Sequence, residues 1–182
     1  MCIIIGIDPS LNSTGICVNK NGKSYTYYNI NAKPTKKLQN FESKFIKIIF
    51  IEKNSTKGLN YTDKEISKSQ NIYNICFNIK NILKKHKPTK VVMEGLSYGS
   101  NGALGDLGGL NYAIRMILIE LNIPFEIVPP TTWKKQQIGN ANAEKDIIIE
   151  TWKKLDKNIS NIGKDIKLDD LADSYFLSNF EP

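Results

Sequence analysis

The chain of 182 residues carries 25 Lys and Arg against 18 Asp and Glu, a formal charge of +7, and is 41% hydrophobic and 9% aromatic. That excludes a disordered chain and suits one domain, 1–182, able to bury a core of its own. No apolar run nears the ~18 residues of a membrane span, the N-terminus lacks a basic leader, and three scattered cysteines (Cys2, Cys17, Cys76) make neither a disulfide framework nor a zinc site, so a reducing, cytoplasmic setting is expected.

Residues 2–8 are a short apolar run closed by Asp8, the pattern of a strand buried on both faces. Asn21-Gly22 lies between two β-prone runs, Thr14–Val18 and Ser24–Ile30, and marks a hairpin because both turn positions favour positive φ. The chain therefore opens with three strands in a meander. Residues 31–64 form a basic insertion whose structure stays open: Phe41, Phe45, Ile48 and Ile49 could share a helix face, and Phe45–Ile51 could equally be a strand. Over 65–86, Ile66, Ile72, Ile75, Cys76, Ile79, Ile82 and Leu83 recur at helical spacing with lysines opposite, and Lys87-Pro88 ends the helix.

Lys90–Glu94 reads as a fourth strand, again closed by an acid. Six of the 12 glycines fall in 95–109, a loop before a helix bearing Leu107, Leu110, Ile114, Ile117, Leu118 and Leu121. Pro124–Val128 is a fifth strand, stopped by Pro129-Pro130. Helices are expected near 131–137, 143–156 and 168–179. The order predicts an α/β layer: a mixed five-stranded sheet with helices on both faces.

Charge is unevenly spread along these elements. Residues 31–90 hold 14 lysines and four acids, while the remainder is net acidic. A polyanion would be drawn to the first region; the plainer alternative is compositional bias with solvated lysines. Among the acids, Asp8 and Glu94 end neighbouring apolar strands, and Asp170 and Asp173 are three apart on the last helix and share a face. Each has a structural reading, as a turn former or a helix N-terminal acid. Gathered together, they would need a cation, and oxygen ligands select Mg²⁺ or Mn²⁺ over zinc. Two such ions could promote in-line phosphoryl displacement, which in a basic protein predicts a nuclease.

Ile5-Gly-Ile-Asp-Pro-Ser-Leu-Asn-Ser-Thr-Gly15 closely resembles the first motif of the RuvC family of Holliday-junction resolvases. Val91-Val-Met-Glu94 is similar to its Glu-bearing strand, Asp170-Leu-Ala-Asp173 to its last motif, and Lys134–Lys145 to its segment with two functional lysines. The match runs from residue 3 to about 178 and is weak over 31–64. It implies a ribonuclease H-like fold and a homodimer that cuts opposed strands of four-way DNA junctions with paired Mg²⁺-dependent sites. Asp8, Glu94, Asp170 and Asp173 would be catalytic metal ligands, with two Mg²⁺ per site and Mn²⁺ as a substitute. Lys134 and Lys145 would contact the backbone at the scissile phosphate, and Tyr98 and Asn101 would meet the junction. Asp169 competes with Asp170 because it too shares a face with Asp173.

The basic insertion and the Asp169-Asp170 run resemble viral or phage members, for which a wider range of branched DNA, flaps and replication forks included, is the alternative substrate. The dimer would use the helix at 65–86 or that at 104–121. A non-catalytic DNA-binding module is disfavoured because it would gain by shedding four acids. An actin-like or sugar-kinase-like ATPase needs two lobes and a second phosphate loop, which 182 residues do not provide. His86, the one histidine, is given no catalytic role, and Trp133, Trp152 and the tyrosines at 25–28 are assigned to packing.

Overall fold

Three strands open the chain: β1 (Ile3–Asp8), β2 (Ser13–Lys20) and β3 (Ser24–Asn31). They pair antiparallel in sequence order, with Asp8 opposite Gly15 and Lys20 opposite Ser24. Asn21 and Gly22 turn the hairpin at φ 56° and 68°, the left-handed backbone that this dipeptide tolerates. This computed structural model describes residues 2–96, 104–162 and 169–181.

The sheet has six strands rather than five. Residues 31–64 contain a short helix, α1 (Lys36–Gln39), and a strand, β4 (Ile46–Phe50). β4 runs parallel to β3 and forms the sheet edge, with Asn31 opposite Phe50. The β-branched run Ile46–Ile49 is ambiguous in period. An unpaired edge of β3 resolves it, because tertiary pairing outweighs a weak local preference.

A long helix follows, α2 (Tyr61–His86), then β5 (Lys90–Glu94), α3 (Leu104–Glu120), β6 (Phe125–Val128), α4 (Pro130–Ile138), α5 (Lys145–Leu155) and α6 (Asp169–Ser178). α2 starts a turn earlier than its apolar stripe suggests because the Asn60 side chain accepts from Asp63 N at 2.9 Å and caps it. Its end is as expected, with Lys87 in the left-handed region before Pro88. β5 and β6 extend the sheet in parallel beyond β1, so the order is β4-β3-β2-β1-β5-β6.

Strand alternation divides the core into two layers. Ile5, Ile7, Val91 and Met93 pack with Ile75, Ile79, Leu83, Leu110 and Ile114 of α2 and α3. On the opposite face Cys17, Tyr27 and Val92 pack with Trp133, Ile148, Trp152, Leu171 and Phe176 of α4, α5 and α6. α6 is the closest layer. A Cβ at Gly6 would fall 2.0 Å from Ser174 O, and one at Gly15 would fall 2.0 Å from Asp170 O. Both glycines let helix backbone rest on strand backbone.

Gly6→Ala should therefore cost about 2 kcal/mol or more, since neither backbone can yield cheaply. Gly105, in α3, has nothing within 4 Å of an added Cβ; Gly105→Ala should stabilise by up to about 1 kcal/mol. Thermal unfolding of both variants checks the pair, and a neutral Gly6→Ala would refute the close approach.

Candidate active site

Asp8 and Glu94 are the last residues of two parallel neighbours, β1 and β5. Gly6 lies opposite Val92 and Ile7 opposite Met93, so the two acids leave the sheet side by side. Alternation turns them away from the Ile7 and Met93 layer and toward α6. α6 lies on that face, anchored at Gly15, which is itself the cross-strand partner of Asp8. Its first turns carry Asp170 and Asp173 to the same end of the sheet. The four sequence-predicted carboxylates are thus brought together.

Their electrostatics record the crowding. Burial raises the Asp8 carboxyl well above its ordinary range, and Glu94, Asp173, Asp170 and Asp169 push it further. Burial lifts Asp173 to about 7, with Glu94 adding to the rise and Lys134 opposing it. Asp170 is raised to about 6 by burial, against a hydrogen bond with Ser13 and the nearby Lys145. Glu94 is also raised by burial, offset by Trp133 and Lys134. Four half-buried like charges with only oxygen donors are the chemistry that a hard divalent cation satisfies. Among the described residues no three His, Cys, Asp or Glu side chains already form a ready-made ligand group. The donor set fits such an ion in kind.

The two lysines flank the acids from different helices. Lys134, on α4, is close enough to lower both Glu94 and Asp173, and its Nζ is 5.5 Å from the Trp133 ring centroid. Lys145 opens α5 and pairs with Asp169; its own pKa is raised by that hydrogen bond first. Asp169 therefore faces Lys145, while Asp170 meets Ser13. Tyr98 and Asn101 lie outside the described residues. His86 is apart from the cluster, its Nε2 2.7 Å from the Tyr28 hydroxyl.

Several positioning residues escape a reading by motif. Trp133 is fully buried and stacks on Phe176 of α6; its Nε1 also donates to Glu94 Oε2 at 2.9 Å. A buried indole N–H needs a partner, but the sequence does not say which. Asn111 Nδ2 donates to the Glu94 carbonyl at 3.2 Å. Asn29 Nδ2 donates to Ser13 Oγ at 2.9 Å, behind Asp170. Neither asparagine stands in a motif.

No protein-family profile matches the chain. Among curated proteins, the crossover junction endodeoxyribonuclease RuvC of Petrotoga mobilis is 30% identical over 124 residues, covering 68% of this chain and 76% of the relative. Among solved structures, Thermus thermophilus RuvC aligns over 97% of this chain and 90% of its own, with a TM-score of 0.61 at 15% identity. The same protein in complex with Holliday junction substrate gives a TM-score of 0.64 at 15% identity, covering 98% of this chain and 91% of that one. The yeast mitochondrial Holliday junction resolvase Ydc2 gives 0.50 at 17% identity, over 97% and 77%. At these identities the structural likeness is one of fold, and it bears out the ribonuclease H-like class.

The raised carboxyls have a consequence for the metal-free protein. A carboxyl that binds its proton more tightly when folded supports folding below the unfolded value, and that support is lost as pH rises through the folded value. For Asp170 and Asp173 the window runs from the ordinary 3.8 to about 6 and about 7. Asp173→Asn should match wild type near pH 4 and melt roughly 5 °C higher at pH 8, about 2 kcal/mol in a domain of this size. Thermal melts in chelator across that range measure the difference. An equal or lower melting temperature at pH 8 would mean that neither burial nor the neighbouring acids penalise the charged Asp173.

Proposed function

The chain belongs to the RuvC family of crossover junction endodeoxyribonucleases, and on that premise we propose that it resolves four-way DNA junctions by paired nicks, hydrolysing one phosphodiester bond at each of two sites. The observation that carries this reading is the convergence of Asp8, Glu94, Asp170 and Asp173 at one end of the sheet, with Lys134 and Lys145 beside them. A protein that only bound DNA would be better served without four half-buried acids facing a polyanion.

Divalent-metal dependence goes with the family; Mg²⁺ at two positions, held by those four acids and replaceable by Mn²⁺, is part of the proposal. Bound there, the ions supply Lewis acidity to water attack and to departure of the leaving oxygen. The chain's own residues do the rest. Trp133 and Asn111 fix Glu94 by its carboxylate and its carbonyl, and Ser13 lies beside Asp170, favouring its ionised form. Lys134 and Lys145 offset the charge that grows on the phosphoryl oxygens as one P–O bond forms and the other breaks. Tyr98 and Asn101, in the segment after Glu94, complete the junction contacts in this reading.

A four-way junction is nearly two-fold symmetric, so two coordinated cuts call for a symmetric dimer. α3 offers the face: Tyr112, Met116 and Ile119 are 61%, 64% and 57% exposed on successive turns of one side. Such a stripe is costly to leave in water. No helix among the described residues is long and apolar enough to cross a membrane. The proposed setting is the cytoplasm of a bacterium or of an infected host cell.

The test is cleavage of labelled four-way junction, flap and linear duplex DNA with Mg²⁺. Wild type should give symmetric paired nicks in the junction, and Asp8→Asn should lose cutting by on the order of 10³-fold or more while still binding. Equal cutting of flaps would instead make it a general debranching nuclease, and binding without cutting would sink the enzymatic reading. Met116→Glu should convert a dimer to a monomer in sedimentation and replace paired cuts by single nicks. An unchanged dimer would move the interface away from α3.

A further inference from the structure

A buried line of polar side chains leads from the candidate active site into the basic insertion. Ser13 and Asp170 line the same cavity, close enough for the hydroxyl to favour the ionised carboxylate, and Asn29 Nδ2 donates to Ser13 Oγ at 2.9 Å. Asn31 Nδ2 donates to Asn29 Oδ1 at 3.1 Å, and Asn31 Oδ1 accepts from Lys33 N at 2.8 Å. Asn29 and Asn31 are both buried, and buried amides linked in series hold their neighbours in one arrangement. The start of the insertion is therefore tied to Asp170 by side chains rather than hanging from the sheet edge. Its far end is fixed as well, because β4 pairs with β3 and Ile51 N donates to Asn31 O at 3.0 Å.

Between these anchors lies a cavity of about 520 Å³, with Asn12 and Ser13 on one wall, Lys33, Lys36 and Leu38 on another, and Asp170 on the side of the acids. At its rim Lys53 Nζ donates to Asn12 Oδ1 at 2.7 Å. Burial and the neighbouring Lys33 both hold the Lys53 ammonium below its ordinary range, so cations crowd this wall. Among the described residues neither Lys33 nor Lys36 is in an ion pair. The volume is in the range of small-ligand pockets, ample for a nucleotide-sized stretch and generous for a lone phosphate.

We propose that this pocket holds the DNA backbone immediately beside the phosphate being cut, with Lys33 and Lys36 contacting the neighbouring phosphodiester. The assignment rests on the nuclease reading above and adds a role for the insertion within it. Asp170 is shared by the acid cluster and the pocket, so a strand whose scissile phosphate lies over the acids has its adjoining backbone within the pocket. Lys33 and Lys36 are exposed and can meet it, while Asn31 and the amide line keep Lys33 in register with Asp170.

The test is junction binding as a function of salt, with the double variant Lys33→Ala/Lys36→Ala beside a control, Lys57→Ala/Lys64→Ala, whose lysines lie in the same basic region but do not line the pocket. Loss of one phosphate contact at each of the dimer's two sites should lower the magnitude of the log–log salt slope by up to ~1.8, and weaken binding about tenfold at moderate salt. The control should keep the wild-type slope. Neutral methylphosphonates, placed symmetrically at both cut sites on one side or the other of the cut phosphate, should bring wild type to the variant's affinity at one of the two positions and leave the variant unchanged there. A variant slope equal to wild type, or methylphosphonates that weaken both proteins alike, would overturn the pocket assignment while junction cutting by wild type stands. Wild type that neither binds nor cuts the junction would overturn the nuclease reading and the assignment together. Melting temperatures should match throughout, since all four lysines are exposed.

Discussion

At Gly6 and Gly15 the backbone of α6 rests directly on β1 and β2, at separations that leave no room for a methyl group. Gly15 stands opposite Asp8 in the ladder, and the atom that an added Cβ would strike is the carbonyl of Asp170. One contact therefore sets both the height of the helix above the sheet and the separation of acids from different ends of the chain. The stacking of Trp133 on Phe176 and its bond to Glu94 extend the same constraint to β5 and α4. Elements far apart in sequence are thus fastened to one helix, and the carboxylates follow the backbone.

That arrangement works against the stability of the fold when no cation is present. Burial raises the proton affinity of all four acids, and neighbouring carboxylates raise it further for Asp8, Asp170 and Asp173. Lys134 and Lys145 reduce the strain without removing it, because each arrives from a separate helix and Lys145 is engaged by Asp169. Local conflict of this kind is what the proposed divalent-ion and phosphate site would require: like charges gathered before the ligand arrives, with the ligand supplying the compensation. The rest of the molecule supports it with two apolar layers, one on each face of the sheet.

The insertion is joined to the same region by a different device. β4 lengthens the sheet at the edge remote from Glu94, yet the line Asn31, Asn29, Ser13 returns to Asp170 across two strands. The three residues share the parity of Cys17 and Tyr27 along β2 and β3, so they lie on the α6 face, where solvent would otherwise have to satisfy their polar groups. Satisfied by one another, they make that part of the sheet a polar support between the acid cluster and the lysines.

Much of this was legible in the chain itself. Local rules suffice for the Asn21-Gly22 hairpin, for the end of α2 at Lys87-Pro88 and for the strands closed by Asp8 and Glu94, because turn chemistry and apolar period act over a few residues. The four acids were recognisable as a set through their motifs and their positions at strand and helix ends. Residues 31–64 were not decidable: an Ile-rich run satisfies strand and helix periods alike until a neighbouring edge claims it. Tertiary structure alone decided that Trp133, assigned to packing, also bonds Glu94, that Asp169 faces Lys145 while Asp170 faces Ser13, and that Gly6 and Gly15 are the seats of a helix more than 150 residues away. Each of those depends on which backbones touch, a relation between distant segments that no local pattern encodes.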